Sequence, residues 1–167
     1  MKLIGLDPGL RATGWGVIKI EGNNLIHVAD GTVRVPTNLK LAERLAILFK
    51  SLSSVIETYR PNEAAVEETF VNANPASTLK LGQARGIALL VPAEFGLFVG
   101  EYPPNLVKKT VVGSGHATKE QVQMMVQTLL RGCDVTSADA ADALAIAICH
   151  AQHRCVPNIA AAMETIS

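Results

Sequence analysis

The sequence predicts an α/β domain on a mixed five-stranded sheet, three antiparallel strands followed by two parallel ones, with helices on both faces. Three observations support this fold class. Three apolar runs near the start are separated only by short turn signals, which is typical of an antiparallel meander. From residue 38 onward, helical apolar spacing alternates with short apolar runs, which indicates strands joined by helices. A length of 167 residues suits one domain with a sizeable core.

The first half of the chain contains the meander and one long helix. The predicted strands cover residues 2–7, 13–20 and 24–35. Pro8-Gly9 turns the chain after the first strand, and a Gly-Asn-Asn segment turns it after the second. A helix follows over residues 38–59, where apolar residues recur at helical spacing. Pro61 closes this helix because proline disfavours helical geometry in the residue before it.

The second half alternates strands and helices. A strand over residues 64–67 is followed by a polar loop that contains one aromatic residue, Phe70. The next helix starts at Pro75 and runs into the nineties, where Pro92 is expected to kink or end it. A strand over 97–102 and helices over 105–112, 118–131 and 136–153 complete the order. We expect residues 1–155 to form the domain and residues 156–167 to be a loosely ordered tail.

Composition excludes several classes of protein. Hydrophobic residues make up 49% of the chain and charged residues 18%, as in globular proteins and unlike disordered or fibrous ones. No run of eighteen apolar residues occurs, and the apolar run after Lys2 is too short for a signal peptide. The three cysteines suit reduced thiols better than a disulfide framework, so we expect a cytoplasmic protein.

Basic residues are concentrated in one part of a chain whose net charge is zero. Residues 74–119 contain two acidic residues and five basic ones, which are Lys80, Arg85, Lys108, Lys109 and Lys119. A neutral chain gives no support by itself to a nucleic-acid partner, and a local excess of charge is commonly a solvated face. Charge alone does not distinguish whether this basic segment is a solvated face or a surface that binds a polyanion.

Four carboxylates are the candidates for chemistry. Asp7 ends an apolar strand, where it loses much of its hydration and needs a cation, hydrogen-bond donors or a proton. Glu67 ends the fourth predicted strand, which connection rules place beside the first. Asp139 and Asp142 are three residues apart on an alanine-rich helix, so they share a face. The four carboxylates converge if this helix packs closely on the sheet edge.

Four carboxylates in one place repel one another unless cations join them or some become protonated. Oxygen ligands without a nearby His or Cys suit Mg²⁺ or Mn²⁺. Two such ions roughly 3.5–4 Å apart can activate a water and stabilise the leaving oxygen of a phosphodiester. Simpler interpretations remain for single residues. Asp7 could be an ordinary turn acid, Glu67 a surface strand end, and Asp139 part of a helix cap with Thr136.

The same residues carry a resemblance to RuvC-type Holliday junction resolvases. The similar segments follow in order through most of the chain and cover residues 5–9, 13–16, 66–70, 79–86, 107–113 and 138–145. Two of them, Leu-Gly-Gln-Ala-Arg-Gly and Ala-Asp-Ala-Ala-Asp-Ala-Leu-Ala, are highly specific in combination. The resemblance implies an RNase H-like fold and a homodimer that cuts four-way DNA junctions symmetrically with Mg²⁺ in recombination and repair. It further implies 5′-phosphate and 3′-hydroxyl ends, and the RuvA–RuvB branch-migration complex as a partner.

The resemblance also assigns roles by motif. The metal-binding catalytic acids are Asp7, Glu67, Asp139 and Asp142. Phe70 matches an aromatic residue placed to stack on a base near the junction centre, and stacking requires an exposed ring. Lys108 and Lys119 match lysines near the DNA backbone, and the other DNA candidates from the basic segment are Lys80, Arg85 and Lys109. The helix from Pro75 resembles a dimer helix whose contacts are Leu79, Gly82, Gly86 and Leu90.

Other functions stay open on the sequence. The first strand and its Pro-Gly turn also resemble the phosphate loop of actin-like ATPases and sugar kinases, but 167 residues leave no room for the two lobes those need. A junction-binding protein without nuclease activity is a second alternative, although all four acids are present. A nuclease for linear duplex is a third alternative, against which the Phe70 loop and the dimer helix argue.

Overall fold

A computed structural model describes residues 1–68 and 74–154, and these form five strands and five helices. The strands are β1 Lys2–Asp7, β2 Ala12–Glu21, β3 Asn24–Arg34, β4 Glu63–Glu67 and β5 Phe98–Tyr102. The helices are α1 Leu41–Tyr59, α2 Pro75–Glu94, α3 Pro104–Val112, α4 Lys119–Leu129 and α5 Ala138–His153. Their order and types are the predicted ones. Phe70 and the predicted tail lie outside the described residues.

The five strands form one mixed sheet in the order β3-β2-β1-β4-β5. Strands β1, β2 and β3 are antiparallel neighbours, whereas β4 runs parallel to β1 and β5 runs parallel to β4. The prediction of three antiparallel strands followed by two parallel ones is therefore confirmed. The central position of β1 explains its apolar sequence, since a central strand covered on both faces has little contact with water.

Alternate residues of β1 pack into two separate cores, one on each face of the sheet. Leu3 belongs to the core shared with α3, α4 and α5. Ile4 and Leu6 belong to the core formed with α1 and α2. Because side chains alternate along a strand, Gly5 and Asp7 face the same side as Leu3, which is the side covered by α5.

Helix α5 lies directly on the backbone of β1 and β2. A Cβ atom on Gly5 would overlap the carbonyl oxygen of Ala143, and one on Gly14 would overlap the carbonyl oxygen of Asp139. Glycine on the sheet and alanine on the helix therefore let the two backbones touch. This contact fixes where the carboxylates at the start of α5 stand relative to the sheet.

Residues of β3 hold the start of α5 in place. The N-cap is Ser137, whose hydroxyl accepts a hydrogen bond from the Ala140 N–H at 3.1 Å and shares a 2.7 Å hydrogen bond with Thr32. The buried carboxylate of Asp30 accepts the backbone N–H of Thr136 at 3.1 Å. Asp139 therefore lies in the first turn of a helix capped by Ser137, and the pairing of Asp139 with a Thr136 cap does not occur.

The other end of α5 is also anchored to the sheet. His150 is fully buried, with its Nδ1 2.7 Å from the hydroxyl of Tyr102 on β5 and its Nε2 3.0 Å from a carboxylate oxygen of Glu63 on β4. Arg154 donates a hydrogen bond to the second oxygen of that carboxylate at 2.7 Å. With both ends held, α5 has little freedom to slide along the sheet.

Helix bounds differ from the predictions by at most three residues; for example, α1 begins at Leu41 and not at residue 38. Helix α1 ends at Tyr59, before Pro61 as predicted, and Arg60 closes it in the left-handed conformation with φ 48°. Helix α2 continues two residues beyond Pro92, which is buried in its last turn. Pro92 removes the one backbone hydrogen bond that its N–H would donate, and the helix nevertheless continues to Glu94, so it does not end at Pro92 as one of the two predicted outcomes required.

Candidate active site

Asp7 and Glu67 are brought together by the parallel pairing of β1 and β4. Leu6 lies opposite Val66 in the register of these strands, and the acid is the next residue on each. Both strands run in the same direction, so both acids emerge at the same edge of the sheet. Both also face the side covered by α5 because of the alternation along each strand.

Asp139 and Asp142 reach this edge from α5. Gly14 of β2 pairs with Asp7, and the backbone of Asp139 rests directly on Gly14. Asp142 follows one turn later on the same face of the helix. Asp7, Glu67 and Asp142 line one cavity of about 230 Å³. Asp139 does not line this cavity, but its negative charge acts on Asp7.

Two lysines complete the cavity. Lys108 enters from α3 and Lys119 from the first turn of α4, and the remaining wall is formed by Pro104, Val107, Val122 and Ala145. The Nζ atom of Lys119 donates a hydrogen bond to Asp142 at 3.2 Å, although most of the Lys119 side chain is exposed. The negative charge of Asp142 and this hydrogen bond raise the pKa of Lys119.

The two strand-end acids hold their protons unusually strongly. Burial raises the pKa of Asp7 to about 8, and the charges of Glu67 and Asp142 add to the increase. Burial also raises the pKa of Glu67 to about 7, again with a contribution from Asp142. Lys108 and Lys119 lower the pKa of Glu67 and Lys119 lowers that of Asp7, but the lysines do not balance the increases. A site with this electrostatic character attracts positive charge.

The chemistry of these residues fits a hard divalent cation. Asp7, Glu67, Asp139 and Asp142 offer only oxygen ligands, which Mg²⁺ and Mn²⁺ prefer. Within the part of the chain that the structure describes, no three carboxylate, imidazole or thiol side chains are arranged to hold an ion. Lys119 is the partner of Asp142 in this arrangement. The donor set therefore suits the cation, while in this structure Asp142 is bonded to Lys119.

The structure separates the other predicted DNA contacts. Arg85 lies on α2, where its Nε donates to the backbone carbonyl of Glu67 at 3.2 Å and its guanidinium forms an ion pair with Glu101. Lys80 is exposed near the start of α2, and Lys109 is exposed in the last turn of α3. Neither of these two lysines lines the cavity with the acids. Phe70 lies outside the described residues.

The predicted dimer contacts form a continuous exposed stripe on α2. Leu79 is 66% exposed and Leu90 is 46% exposed, although both are large and apolar. Gly82 and Gly86 lie between them, and a Cβ atom on either would meet no other atom within 4 Å among the described residues. The opposite face of α2, which includes Ala84 and Ala88, is buried against the sheet.

Sequence reasoning overlooked Arg44. This residue lies on α1, on the same buried face as Leu48 and Leu52. The helical spacing of the apolar residues could have predicted that Arg44 is buried, because an arginine one turn before Leu48 falls on the face that packs against the sheet.

Comparisons with known proteins give a consistent result. The family described as crossover junction endodeoxyribonuclease RuvC matches residues 3–150. The chain is 64% identical over 154 residues to the crossover junction endodeoxyribonuclease RuvC of Paramagnetospirillum magneticum, covering 92% of this chain and 93% of that one. It is also 64% identical to the protein of this name from Rhodospirillum rubrum, covering 92% and 91% of the two chains.

Solved structures show the same relationship. The Thermus thermophilus RuvC structure shares 33% identity with a TM-score of 0.80, covering 90% of this chain and 93% of that one. The T. thermophilus RuvC in complex with Holliday junction substrate has the same identity and coverage and a TM-score of 0.83. The yeast mitochondrial Holliday junction resolvase Ydc2, at 13% identity and a TM-score of 0.64, shares the fold.

Proposed function

The chain belongs to the RuvC family of crossover junction endodeoxyribonucleases, and from this premise we propose which of its residues bind and cut DNA. The protein is a metal-dependent nuclease that resolves Holliday junctions in DNA recombination and repair. The observation that supports the assignment of roles is the cavity where three carboxylates and two lysines meet at the edge of the sheet.

Asp7, Glu67, Asp139 and Asp142 are the proposed metal ligands and catalytic acids. Burial gives Asp7 and Glu67 raised pKa values, so both carboxylates gain most from a nearby positive charge. Two Mg²⁺ ions, or Mn²⁺ in their place, would supply an activated water and stabilise the leaving oxygen of the phosphodiester. The backbone contact between α5 and the sheet holds the segments that carry the four acids in place, and the reaction is proposed to leave 5′-phosphate and 3′-hydroxyl ends.

Lys119 and Lys108 are proposed to act on the phosphate. Lys119 is mostly exposed and bonded to Asp142, so it can release that carboxylate to an ion and move to a phosphate oxygen without leaving a buried charge. Lys108 also lines the cavity, and its positive charge lowers the pKa of Glu67. Both residues position DNA and carry no sequence information.

A homodimer formed through α2 is proposed to carry two such cavities. Glycines between exposed leucines allow two helices to approach closely, and a two-fold dimer places two identical sites for cuts on two strands.

The RuvA–RuvB complex is proposed as a partner, Phe70 as a base-stacking residue, and the cytoplasm as the location. Free thiols at Cys133 and Cys149 agree with a reducing compartment, and no described helix is long and apolar enough to cross a membrane.

The test uses a labelled mobile four-way junction with Mg²⁺, beside a linear duplex of the same sequence. Paired symmetric nicks on the junction are expected, and they should disappear in Asp7→Asn while junction binding remains. Asp134→Asn, which changes an exposed acid away from the cavity, is the matched control and should cut normally. Tight binding without nicking under Mg²⁺ or Mn²⁺ would point instead to a non-catalytic junction-binding protein.

A further inference from the structure

A second, larger cavity of about 680 Å³ lies beside the turn between β1 and β2. Its walls come from that turn, from α1 and from the first two turns of α2. Three of the described lining residues are cationic, namely Arg11, Arg44 and Lys80, and none is acidic. The cavity is therefore a concentration of positive charge in a chain whose net charge is zero.

Arg44 gives this cavity its character. Only 9% of the residue is exposed, and one guanidinium NH₂ donates to the carbonyl oxygen of Leu10 at 2.9 Å. Its Nε–H is buried and has no hydrogen-bond partner among residues 1–68 and 74–154. No described carboxylate forms an ion pair with Arg44 either. A buried guanidinium without a counter-charge is costly, and an anion in the cavity would remove that cost.

The lining favours a phosphate group. A guanidinium presents donors in a planar fork that matches phosphate oxygens, and Ser77 on α2 adds a hydroxyl. Arg11 and Lys80 are exposed while Arg44 is buried, so positive charge extends from the interior to the surface. This gradient suits a phosphate that is attached to a polymer lying across the surface.

The position of the cavity relative to the carboxylates points to the DNA. Gly9 lines this cavity, and Asp7, only two residues earlier, lines the cavity with the acids. Two residues span at most about 7 Å, so both cavities lie at the same end of β1, one on each face of the sheet. We propose that Arg44, with Arg11 and Lys80, binds a backbone phosphate of the junction DNA beside the phosphate that is cut. This inference rests on the proposed function.

The first experiment observes Arg44 directly. Full-length protein with ¹⁵N-labelled arginine is titrated without divalent cations, and the Nε–H resonance of Arg44 is assigned with Arg44→Lys. Inorganic phosphate, a linear duplex and a four-way junction are added in separate titrations. A shift that saturates together with DNA binding is expected. DNA binding that saturates while this resonance stays unchanged would overturn the proposal, as would a response to inorganic phosphate alone.

The second experiment measures how salt affects junction affinity. Lys80→Gln and Arg11→Gln should each reduce the slope of log affinity against log salt by about 1. Lys50→Gln is the matched control, since Lys50 is an exposed lysine of α1 that does not line the cavity, and its slope should equal that of the original protein. Equal slopes in all of these proteins would contradict the proposal.

Junction cleavage by the unchanged protein is measured in the same preparation. If it cuts junctions while the Arg44 resonance and the salt slopes do not respond, the phosphate site is wrong and the nuclease assignment stands. If the protein neither binds nor cuts junctions, both the phosphate site and the nuclease assignment are wrong.

Discussion

The carbonyl oxygen of Ala143 occupies the place that a Cβ atom on Gly5 would take. Since two rigid backbones meet there, even one methyl group must push α5 away from β1, and Asp142 moves with it. We predict that Gly5→Ala lowers the free energy of unfolding by on the order of 1–3 kcal/mol, as overpacking does elsewhere. It should also reduce junction cleavage, because Asp142 is displaced.

Thermal unfolding and junction cleavage measure these two effects. Gly115→Ala is the control, because a Cβ there would find its nearest neighbour at 3.5 Å, an ordinary contact. An equal loss in both variants would show that the helix–sheet contact is not what matters.

The raised pKa values of Asp7 and Glu67 predict how stability depends on pH in metal-free protein. The folded protein keeps protons on these acids up to about pH 8 and 7, whereas the unfolded chain releases them near pH 4. Between those values the folded state binds more protons, so stability falls as pH rises from about 4 to about 8. Thermal unfolding in a chelator should show a lower Tm at pH 8.5 than at pH 5.5.

The same argument gives the effect of Mg²⁺. The ion should raise Tm more at pH 8.5, where the carboxylates are charged, than at pH 5.5, where they are protonated. In Asp7→Asn combined with Glu67→Gln, most of the pH dependence in this window and most of the Mg²⁺ effect should be absent. A pH profile unchanged by the double substitution would show that other groups are responsible.

Arg85 is predicted to position Glu67, not to contact DNA. Its Nε holds the carbonyl of Glu67 at the end of β4, while Glu101 balances its charge. Arg85→Gln should therefore reduce the cleavage rate at saturating junction by roughly 10-fold and leave junction affinity and its salt dependence nearly unchanged.

Rate and affinity are measured separately, by single-turnover cleavage and by fluorescence anisotropy. Glu101→Gln should show a smaller effect in the same direction, because the bond from Arg85 to the Glu67 carbonyl can persist without it. If Arg85→Gln mainly weakens affinity and lowers the salt slope by about 1, Arg85 is a phosphate contact as the charge pattern suggested.

The exposed stripe of α2 predicts the assembly state. Leu79→Glu and Leu90→Glu should convert a dimer to a monomer, because each places a charge at the centre of an apolar contact. Sedimentation velocity measures the change, and paired cuts on a junction should become single, uncoordinated nicks. Met124→Glu is the control, as Met124 is 59% exposed on α4, outside this stripe.

The sequence was sufficient to predict the sheet and the strands and helix that carry the four acids. Proline and glycine turns separate the strands, and apolar spacing marks the helices, so local patterns determine both. The convergence of Asp7, Glu67 and Asp142 followed from strand-connection rules and from the alanines of α5. The cap of α5 was not predictable in this way. Asp30, 106 residues away, binds Thr136, which leaves Ser137 to cap the helix.

Side-chain partners were also beyond local patterns. Arg85 appeared to belong with the other basic residues, but the fold places Glu101 beside it and uses its Nε to hold β4. Lys119 was assigned to the DNA backbone, and the structure adds its hydrogen bond to Asp142. Such pairings depend on which elements become neighbours in the fold, and local patterns in a single sequence do not predict those neighbours.

The position of α5 has a consequence for synthesis of the protein. A growing chain makes β1 and its Asp7 first, and adds Asp139 and Asp142 only after every strand of the sheet exists. A nascent or broken chain that stops before Ala138 therefore has half of its acids and leaves the glycines of β1 and β2 uncovered. Such fragments should not cut DNA, so cutting activity arises only after α5 has been synthesised and has packed on the sheet.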